Sequence, residues 1–108
     1  MGTISYDDFM KLELRVALIE GAEAHPAADR LVVLKIKIGE ERKQIVAGIR
    51  AFYRPEDLVG KKIVVVNNLA PATLRGIESQ GMLLATQDST RLALLVPDGD
   101  ITDGSVVK

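Results

Sequence analysis

The sequence predicts an all-β protein, a small barrel of five strands preceded by a short helix. Five or six short apolar or alternating segments are separated by Gly, Pro and Asn turn signals. Between them lies only one helical turn, whereas a parallel crossover needs a helix of about ten residues. The 108 residues include no Cys, and a chain of this length buries roughly 60–70% of its unfolded surface without disulfides or metal. We therefore expect residues 1–108 to form one domain.

The first element is predicted to be a helix at Ile4–Leu12. Ser5 is placed to cap its N-terminus, and Asp8 follows three residues later, as in a capping box. The next segment alternates apolar and polar residues and predicts a half-buried strand that bends near Gly21. Its apolar face would consist of Leu14, Val16 and Leu18.

The second strand, Leu31–Ile38, is predicted to have one buried and one basic face. Lys35 and Lys37 share the basic face with Leu31 and Val33, because side chains alternate along a strand. The buried face would consist of Val32, Leu34, Ile36 and Ile38.

The remaining elements complete a barrel. A turn at residues 39–41 leads into a third strand at Arg42–Ile49, and Pro55 to Gly60 has the signals of one capped helical turn. Lys62–Leu69 is a strand that is apolar on both faces, and the last two strands are Met82–Ala85 and Arg91–Val96. This inventory favours the OB type of barrel; an SH3-like barrel or a small sandwich is the alternative.

The middle of the chain is basic although the whole chain is nearly neutral. Residues 30–75 carry ten basic and four acidic side chains, a net +6, whereas residues 1–29 carry −4 and residues 76–108 carry −3. A basic block of this kind suits a nucleic-acid-binding face. On charge alone, ordinary solvated strand residues are the simpler explanation.

Enzyme and membrane signatures are missing from the sequence. The only His, His25, precedes a Pro in a loop, and one imidazole without Cys makes no zinc site. Gly60-Lys61 lacks the upstream glycine of a phosphate-binding loop, and Ser79 lacks the flanking glycines of a nucleophile elbow. No apolar run approaches the ~20 residues of a membrane span. We expect a soluble, cytoplasmic, noncatalytic domain with no cofactor, metal or small-molecule substrate.

Residues 67–85 resist a purely structural interpretation. Asn67 and Asn68 offer amide groups that can pair with base edges or 2′-hydroxyls, although they also suit the end of a strand. Arg75 beside Gly76 places a guanidinium where a ligand can approach closely. A hydroxyl and a soft apolar surface for a base come from Ser79 and Met82.

Four ordered blocks give the chain a specific resemblance. They are DFMKLELRV at residues 8–16, HPAADRL at 25–31, QIVAGI at 44–49 and NLAPATLRGIESQGM at 68–82. They resemble the tRNA-binding domain family, which includes the C-terminal domain of methionyl-tRNA synthetases and stand-alone bacterial tRNA-binding proteins. The similarity runs from about Ile4 to Lys108.

The resemblance implies an OB-fold barrel with a C-terminal β extension, a homodimer, and binding of tRNA by shape rather than by identity. It places the RNA-facing positions on Lys35, Arg42 or Lys43, Asn68, Arg75, Ser79 and Met82. The family often has a second basic residue after Pro71, where this chain has Ala72-Thr73. This departure lowers the positive charge expected in the loop that is predicted to follow the fourth strand and to run through Pro71, Arg75 and Gly76.

The aromatic residues argue against a generic single-strand binder, because such proteins stack bases on rings at ~1–3 kcal/mol per base. The chain has four: Tyr6, Phe9, Phe52 and Tyr53. The first two suit a core or dimer contact, which leaves at most two for stacking. Phosphates and 2′-hydroxyls of a folded RNA are therefore the expected targets.

The leading hypothesis is a noncatalytic, dimeric tRNA-binding module, free-standing or attached to a methionyl-tRNA synthetase catalytic region. The second hypothesis is a peptide-binding module like a related secretion chaperone, with Leu31, Val33 and Met82 as apolar contacts. The third is a domain that serves only to dimerise a synthetase.

Overall fold

The computed structural model describes residues 2–108 and contains the predicted helix, sheet and helical turn. The elements are α1 Tyr6–Phe9, β1 Leu14–Ala24, β2 Val32–Ile38, β3 Glu41–Ala47, a 3₁₀ turn Pro55–Asp57, β4 Lys62–Val66, β5 Ala72–Leu74, β6 Ile77–Ser79, β7 Met82–Leu83, β8 Ala85–Gln87 and β9 Leu92–Leu94. The order β3-β2-β1-β4-β7 forms one curled antiparallel sheet, and β5–β6 and β8–β9 are separate hairpins. The predicted barrel of five strands is confirmed, as is the turn between its third and fourth strands.

The helix α1 is shorter than predicted. Ser5 caps it as expected, since its hydroxyl accepts from the Asp8 backbone N at 3.0 Å. The Asp8 carboxylate instead accepts from Lys11 Nζ at 2.9 Å. The helix ends after one turn, because Ile4, Tyr6 and Met10 are exposed and gain little packing, and packing stabilises helices more than propensity does.

The first strand bends where the sequence predicts. The pairing of β1 with β2 shifts register between Ile19 and Gly21, so that Glu20 is the extra residue of a bulge. The prediction for its buried face is only partly right. Ala17 and Ile19 face the core, whereas Leu14 and Val16 are buried on the opposite side, where the C-terminal segment covers them.

A clasp joins this C-terminal segment to the β2–β3 turn. Gly104 N donates to Val16 O at 2.7 Å, and Asp103 Oδ2 accepts from Gly39 N at 2.9 Å and from Lys37 Nζ at 3.0 Å. The hydrogen bond from Lys37 is the main cause that lowers the pKa of Asp103. At Gly104 a Cβ would lie 2.9 Å from Gly39 N, so the close approach requires glycine. The clasp and the β8–β9 hairpin form the C-terminal β extension.

The outer edge of β3 is sealed by side chains. Val46 N donates to Ser79 Oγ and Gln44 N donates to Gln80 Oε1, both at 2.9 Å, while Gln80 N donates to Gln44 O at 2.8 Å. These oxygens take the place of a neighbouring strand's carbonyls and satisfy the edge. The seal attaches the chain after β6 to β3 and closes the half-barrel. Within residues 2–108, no helix is long enough to cross a membrane.

Candidate nucleic-acid interface

The outer face of β2 and β3 carries the basic cluster. The register pairs Lys35 with Gln44 and Lys37 with Arg42, so that these four side chains share the face opposite the core. Arg42, rather than Lys43, therefore lies on the predicted basic face. Val33, predicted beside the lysines, is instead buried with its cross-strand partner Val46, because β6 packs along β3.

An open cleft of about 590 Å³ lies against this face. Lys35, Arg42, Lys43 and Gln44 line it together with Gln80, Glu20 and Glu78. Nε of Arg42 lies 3.0 Å from Glu20 Oε1, and Lys35 Nζ donates to the Gln44 side chain. The Arg42 ion pair is exposed, and such pairs contribute only ~0–1 kcal/mol, so an incoming phosphate can displace it at small cost.

Lys43 has a different role from its neighbours. It pairs with Ile36 on the inner face of the sheet, and its Nζ donates to the backbone oxygen of Asn67 at 2.8 Å. Only 19% of its side chain is exposed. Lys43 therefore ties β3 to the end of β4.

The segment predicted to be a loop around Arg75 is a hairpin. Arg75 and Gly76 form its two-residue turn with φ values of 50° and 89°, and positive φ at both positions is typical of a type I′ turn. Arg75 is the one non-glycine residue with positive φ among residues 2–108. The left-handed conformation costs an L-residue ~1–2 kcal/mol. Its side chain is exposed and forms no ion pair within the described chain.

His25 supports this hairpin, a role that its loop position did not reveal. Its side chain is buried, and Ala27 N donates to its Nδ1 at 3.0 Å. The ring proton therefore lies on Nε2, which donates to Leu74 O at 3.1 Å. Both nitrogens are satisfied, so His25 positions the strand that leads into Arg75.

Two of the predicted contact residues have their polar groups occupied by the protein itself. The Ser79 hydroxyl accepts from Val46 N and donates to Gly81 O at 3.0 Å. Asn68 Oδ1 accepts from Glu13 N at 2.8 Å, and its Nδ2 donates to Lys11 O at 2.7 Å. Ser79 thus holds the hairpin against β3, and Asn68 joins the end of β4 to the chain before β1.

Met82 lies in the wall of a separate apolar groove of about 350 Å³. Leu69 and Leu74 flank it there, and Ser79 is the one polar side chain of the lining within residues 2–108. Nearly half of the Met82 side-chain surface is exposed. Of the aromatic residues considered for stacking, Phe52 is exposed, whereas Tyr53 packs against the core and its hydroxyl accepts from Leu94 N.

The structure thus divides the predicted site into two neighbouring parts. Lys35, Arg42 and Lys43 line the basic cleft, Ser79 and Met82 line the apolar groove, and Arg75 forms the hairpin tip next to Leu74. Asn68 lines neither. In the described residues no cluster of three His or acidic side chains suits a metal ion.

Sequence reasoning missed three contributors to this surface. Gln44 and Gln80 join the two parts, and alternation with Arg42 places Gln44 on the basic face. Arg50 follows Ile49 of the groove directly and is exposed and free of ion pairs in the described chain. No sequence motif marks Arg50.

Comparison with known proteins finds a family model and sequence relatives that match nearly the whole chain. A family model described as "Putative tRNA binding domain" matches residues 14–106. The methionine–tRNA ligase of Thermotoga maritima is 56% identical over 104 residues, which are 96% of this chain and 16% of that protein. The ligase of Thermococcus kodakarensis is 48% identical over 108 residues, 100% of this chain and 15% of that protein. The chain therefore spans a small part of these relatives.

Solved structures share the whole fold. A MetRS-related protein from Pyrococcus horikoshii superposes with a TM-score of 0.94 at 33% identity, covering 100% of both chains. The chaperone CsaA of Bacillus anthracis gives 0.89 at 31% identity over 99% of this chain and 100% of that one. The C-terminal domain of Plasmodium vivax p43 gives 0.86 at 37% identity over 93% of this chain and 61% of that one.

Proposed function

The chain belongs to the tRNA-binding domain family, and we propose that it is a noncatalytic module that binds folded tRNA by its shape and backbone. The observation that carries this proposal is the position of Arg75. The backbone of Arg75 has positive φ at the hairpin tip, and its exposed guanidinium forms no ion pair among the described residues. The two-residue turn requires positive φ at this position, which Gly or Asn adopts more readily than Arg. An Arg in this conformation therefore points to a role for its side chain, because backbone strain is typical of functional positions.

The proposed contacts fall into two groups. Lys35, Arg42 and Arg75 bind phosphates, and Met82 lies against a base or sugar. Lys43, Asn68 and Ser79 hold the strands and the hairpin that present these groups, as their occupied hydrogen-bonding atoms support. Since phosphate contacts carry no sequence information, binding depends on RNA shape and is indifferent to tRNA identity.

Titrating binding against salt tests the proposal. The logarithm of the affinity falls with the logarithm of the salt concentration at about −0.7 to −0.9 per phosphate neutralised. Lys35→Gln and Arg42→Gln should each lower the magnitude of that slope by about one such step. Lys61→Gln is the matched control, because Lys61 is exposed but lines neither the cleft nor the groove. Salt-independent binding, or equal affinity for unstructured RNA of the same length, would contradict the proposal.

In a larger protein, the module raises the local concentration of tRNA at a neighbouring methionyl-tRNA synthetase active site in the cytoplasm. The full-length similarity to 15% of a methionine–tRNA ligase supports this arrangement. The equal coverage with the Pyrococcus horikoshii protein supports a free-standing form. Deleting the module from a ligase should raise KM for tRNA and leave kcat unchanged.

The chain ends supply the surface for a homodimer. Ile4 and Tyr6 beside α1 and Ile101 and Val106 in the C-terminal segment are exposed apolar residues. A bridge between Arg15 and Val106 joins that segment to β1. Ile101→Asp should convert a dimer into a monomer in sedimentation equilibrium, whereas Val59→Asp, at an exposed apolar residue beside the 3₁₀ turn, should not.

Peptide binding is the second candidate function. The likeness to the CsaA chaperone and the apolar groove beside Met82 favour it. Burial of Val33 removes one of its expected contacts. Competition between tRNA and an unfolded polypeptide for the protein distinguishes the two functions. A domain that only dimerises would bind neither.

A further inference from the structure

The apolar groove lies between the end of β3 and the β5–β6 hairpin. Leu69, Leu74 and Met82 line it and are each more than one third exposed, and Gly48 and Leu92 lie further along the lining. Its volume of about 350 Å³ admits a flat, apolar group. Exposed apolar side chains gathered in one concave surface indicate a contact site rather than part of the core.

The groove offers almost no polar side chain to an occupant. Ser79 is the only polar side chain in the lining within residues 2–108, and its hydroxyl is bonded to Val46 N and Gly81 O. A group in the groove is therefore held mainly by its apolar faces, and no side chain of the lining is free to read its polar edges.

Of the four charged residues that directly adjoin the lining in sequence, three are arginines and one is Glu78, beside Ser79. Arg50, Arg75 and Arg91 directly adjoin lining residues Ile49, Leu74 and Leu92. All three arginines are exposed, and none has an ion-pair partner among the described residues. An occupant that combines a flat apolar group with flanking negative charges matches this arrangement, because guanidinium groups bind phosphates well.

We propose that the groove receives one unpaired base of the bound RNA, turned out of its stack, while these arginines bind the flanking phosphates. This inference rests on the proposed tRNA-binding function and deepens it. Because no side chain of the lining is free to read the edges of a base, the groove accepts any base, which suits binding that ignores tRNA identity. An unfolded polypeptide lacks the regular negative charge that the arginines would neutralise.

The test combines groove variants with tRNAs that each lack a single unpaired base. Loss of the base that enters the groove should weaken binding to the wild-type protein by roughly 5–150-fold, the range expected for ~1–3 kcal/mol of stacking. Ala72→Phe fills the groove, and a Leu74→Ala/Met82→Ala double variant removes its walls. Each variant should bind intact tRNA more weakly by a similar factor and should not respond to loss of that base.

Val59→Ala is the control, since Val59 is exposed and apolar but does not line the groove. If every abasic tRNA binds the wild type like intact tRNA, the inference is wrong and tRNA binding stands. If the wild type binds no tRNA at all, the proposed function fails as well. If the variants keep tRNA affinity but lose binding to reduced, carboxymethylated α-lactalbumin, the groove belongs to polypeptides and the inference is overturned.

Discussion

His25 Nε2 lies 3.1 Å from the carbonyl oxygen of Leu74, so a buried imidazole holds the residue directly before Arg75. This bond joins the β1–β2 loop to the hairpin, across 49 residues of sequence. The ring is satisfied at both nitrogens, which makes His25 a positioning residue rather than an RNA contact.

His25→Ala should therefore affect stability and binding together. It removes both hydrogen bonds of the ring, each worth ~0.5–1.5 kcal/mol, because Ala27 and Leu74 are exposed and water can reach their freed groups. Urea unfolding measures the loss of stability, and hydrogen exchange at the paired amides of the β5–β6 hairpin measures how far the hairpin is loosened. His25→Gln keeps a side-chain donor, so its stability and its tRNA affinity should lie between those of the wild type and those of His25→Ala. Unchanged tRNA affinity in a folded, destabilised His25→Ala protein would contradict the positioning role.

Arg75→Gly should make the protein more stable and weaken its binding. Glycine adopts positive φ without the ~1–2 kcal/mol cost that an L-residue incurs, so unfolding should shift to a higher temperature. The guanidinium is lost, so tRNA affinity should fall and the salt slope should become shallower by about one phosphate contact. Arg75→Lys keeps both the charge and the strain, and it separates the two effects. Equal affinity in all three proteins would exclude Arg75 from the interface.

Ser79→Ala should open the seal along β3. Val46 N is buried and would lose its acceptor, at a cost of ~1–3 kcal/mol. Ser79→Thr keeps the hydroxyl and serves as the matched variant. Denaturation monitored by circular dichroism should show the loss in the alanine variant only. We expect tRNA binding to fall in proportion to hairpin disorder, and intact binding with a detached hairpin would show that the hairpin is not needed.

Acid should destabilise the C-terminal clasp through Asp103. Its pKa is lowered in the folded protein, first by the hydrogen bond from Lys37. A lowered folded pKa stabilises the protein above the unfolded value of about 3.9, and this contribution is lost as pH falls through the folded value. Asp103→Asn should flatten the stability profile below about pH 4, measured by urea unfolding between pH 7 and pH 2. The pKa values of Asp88 and Asp100 are also lowered. These two groups contribute the same acid dependence to the stability of the wild type and of Asp103→Asn. A profile unchanged by Asp103→Asn would contradict this account.

The barrel was predictable because each main strand shows its own pattern of apolar and polar residues within a few positions of sequence. The alternation of side chains around Lys35 and the glycine at the β2–β3 turn predict the positions of the second and third strands correctly. The β5–β6 hairpin was not predictable, because Arg rarely occupies a left-handed position and the turn lacks the usual Asn-Gly signal. The burial of Val33 was missed because a distant hairpin covers its face.

The residues of the candidate site were predicted more accurately than the role that each of them has. Lys35, Arg75 and Met82 are accessible, as their positions in the pattern suggest. Ser79 and Asn68 look equally polar in the sequence, but the Ser79 hydroxyl accepts from Val46 N, 33 residues away, and the Asn68 amide bonds to backbone atoms 55 and 57 residues away. Such long-range bonds leave no local signal, and neither does the clasp between Asp103 and Gly39.

The seal on β3 is made by two side chains and one backbone hydrogen bond, without a continuous strand ladder. Among the described residues, the hydrogen bonds that anchor the stretch between Asn68 and Ser79 to the rest of the protein lie at its two ends, at His25 and between Gln44 Nε2 and Glu78 O. Mutations there can alter length, charge or turn type without disturbing how the main sheet is assembled. Ligand preference in this architecture is consequently free to diverge while the scaffold itself is inherited unchanged.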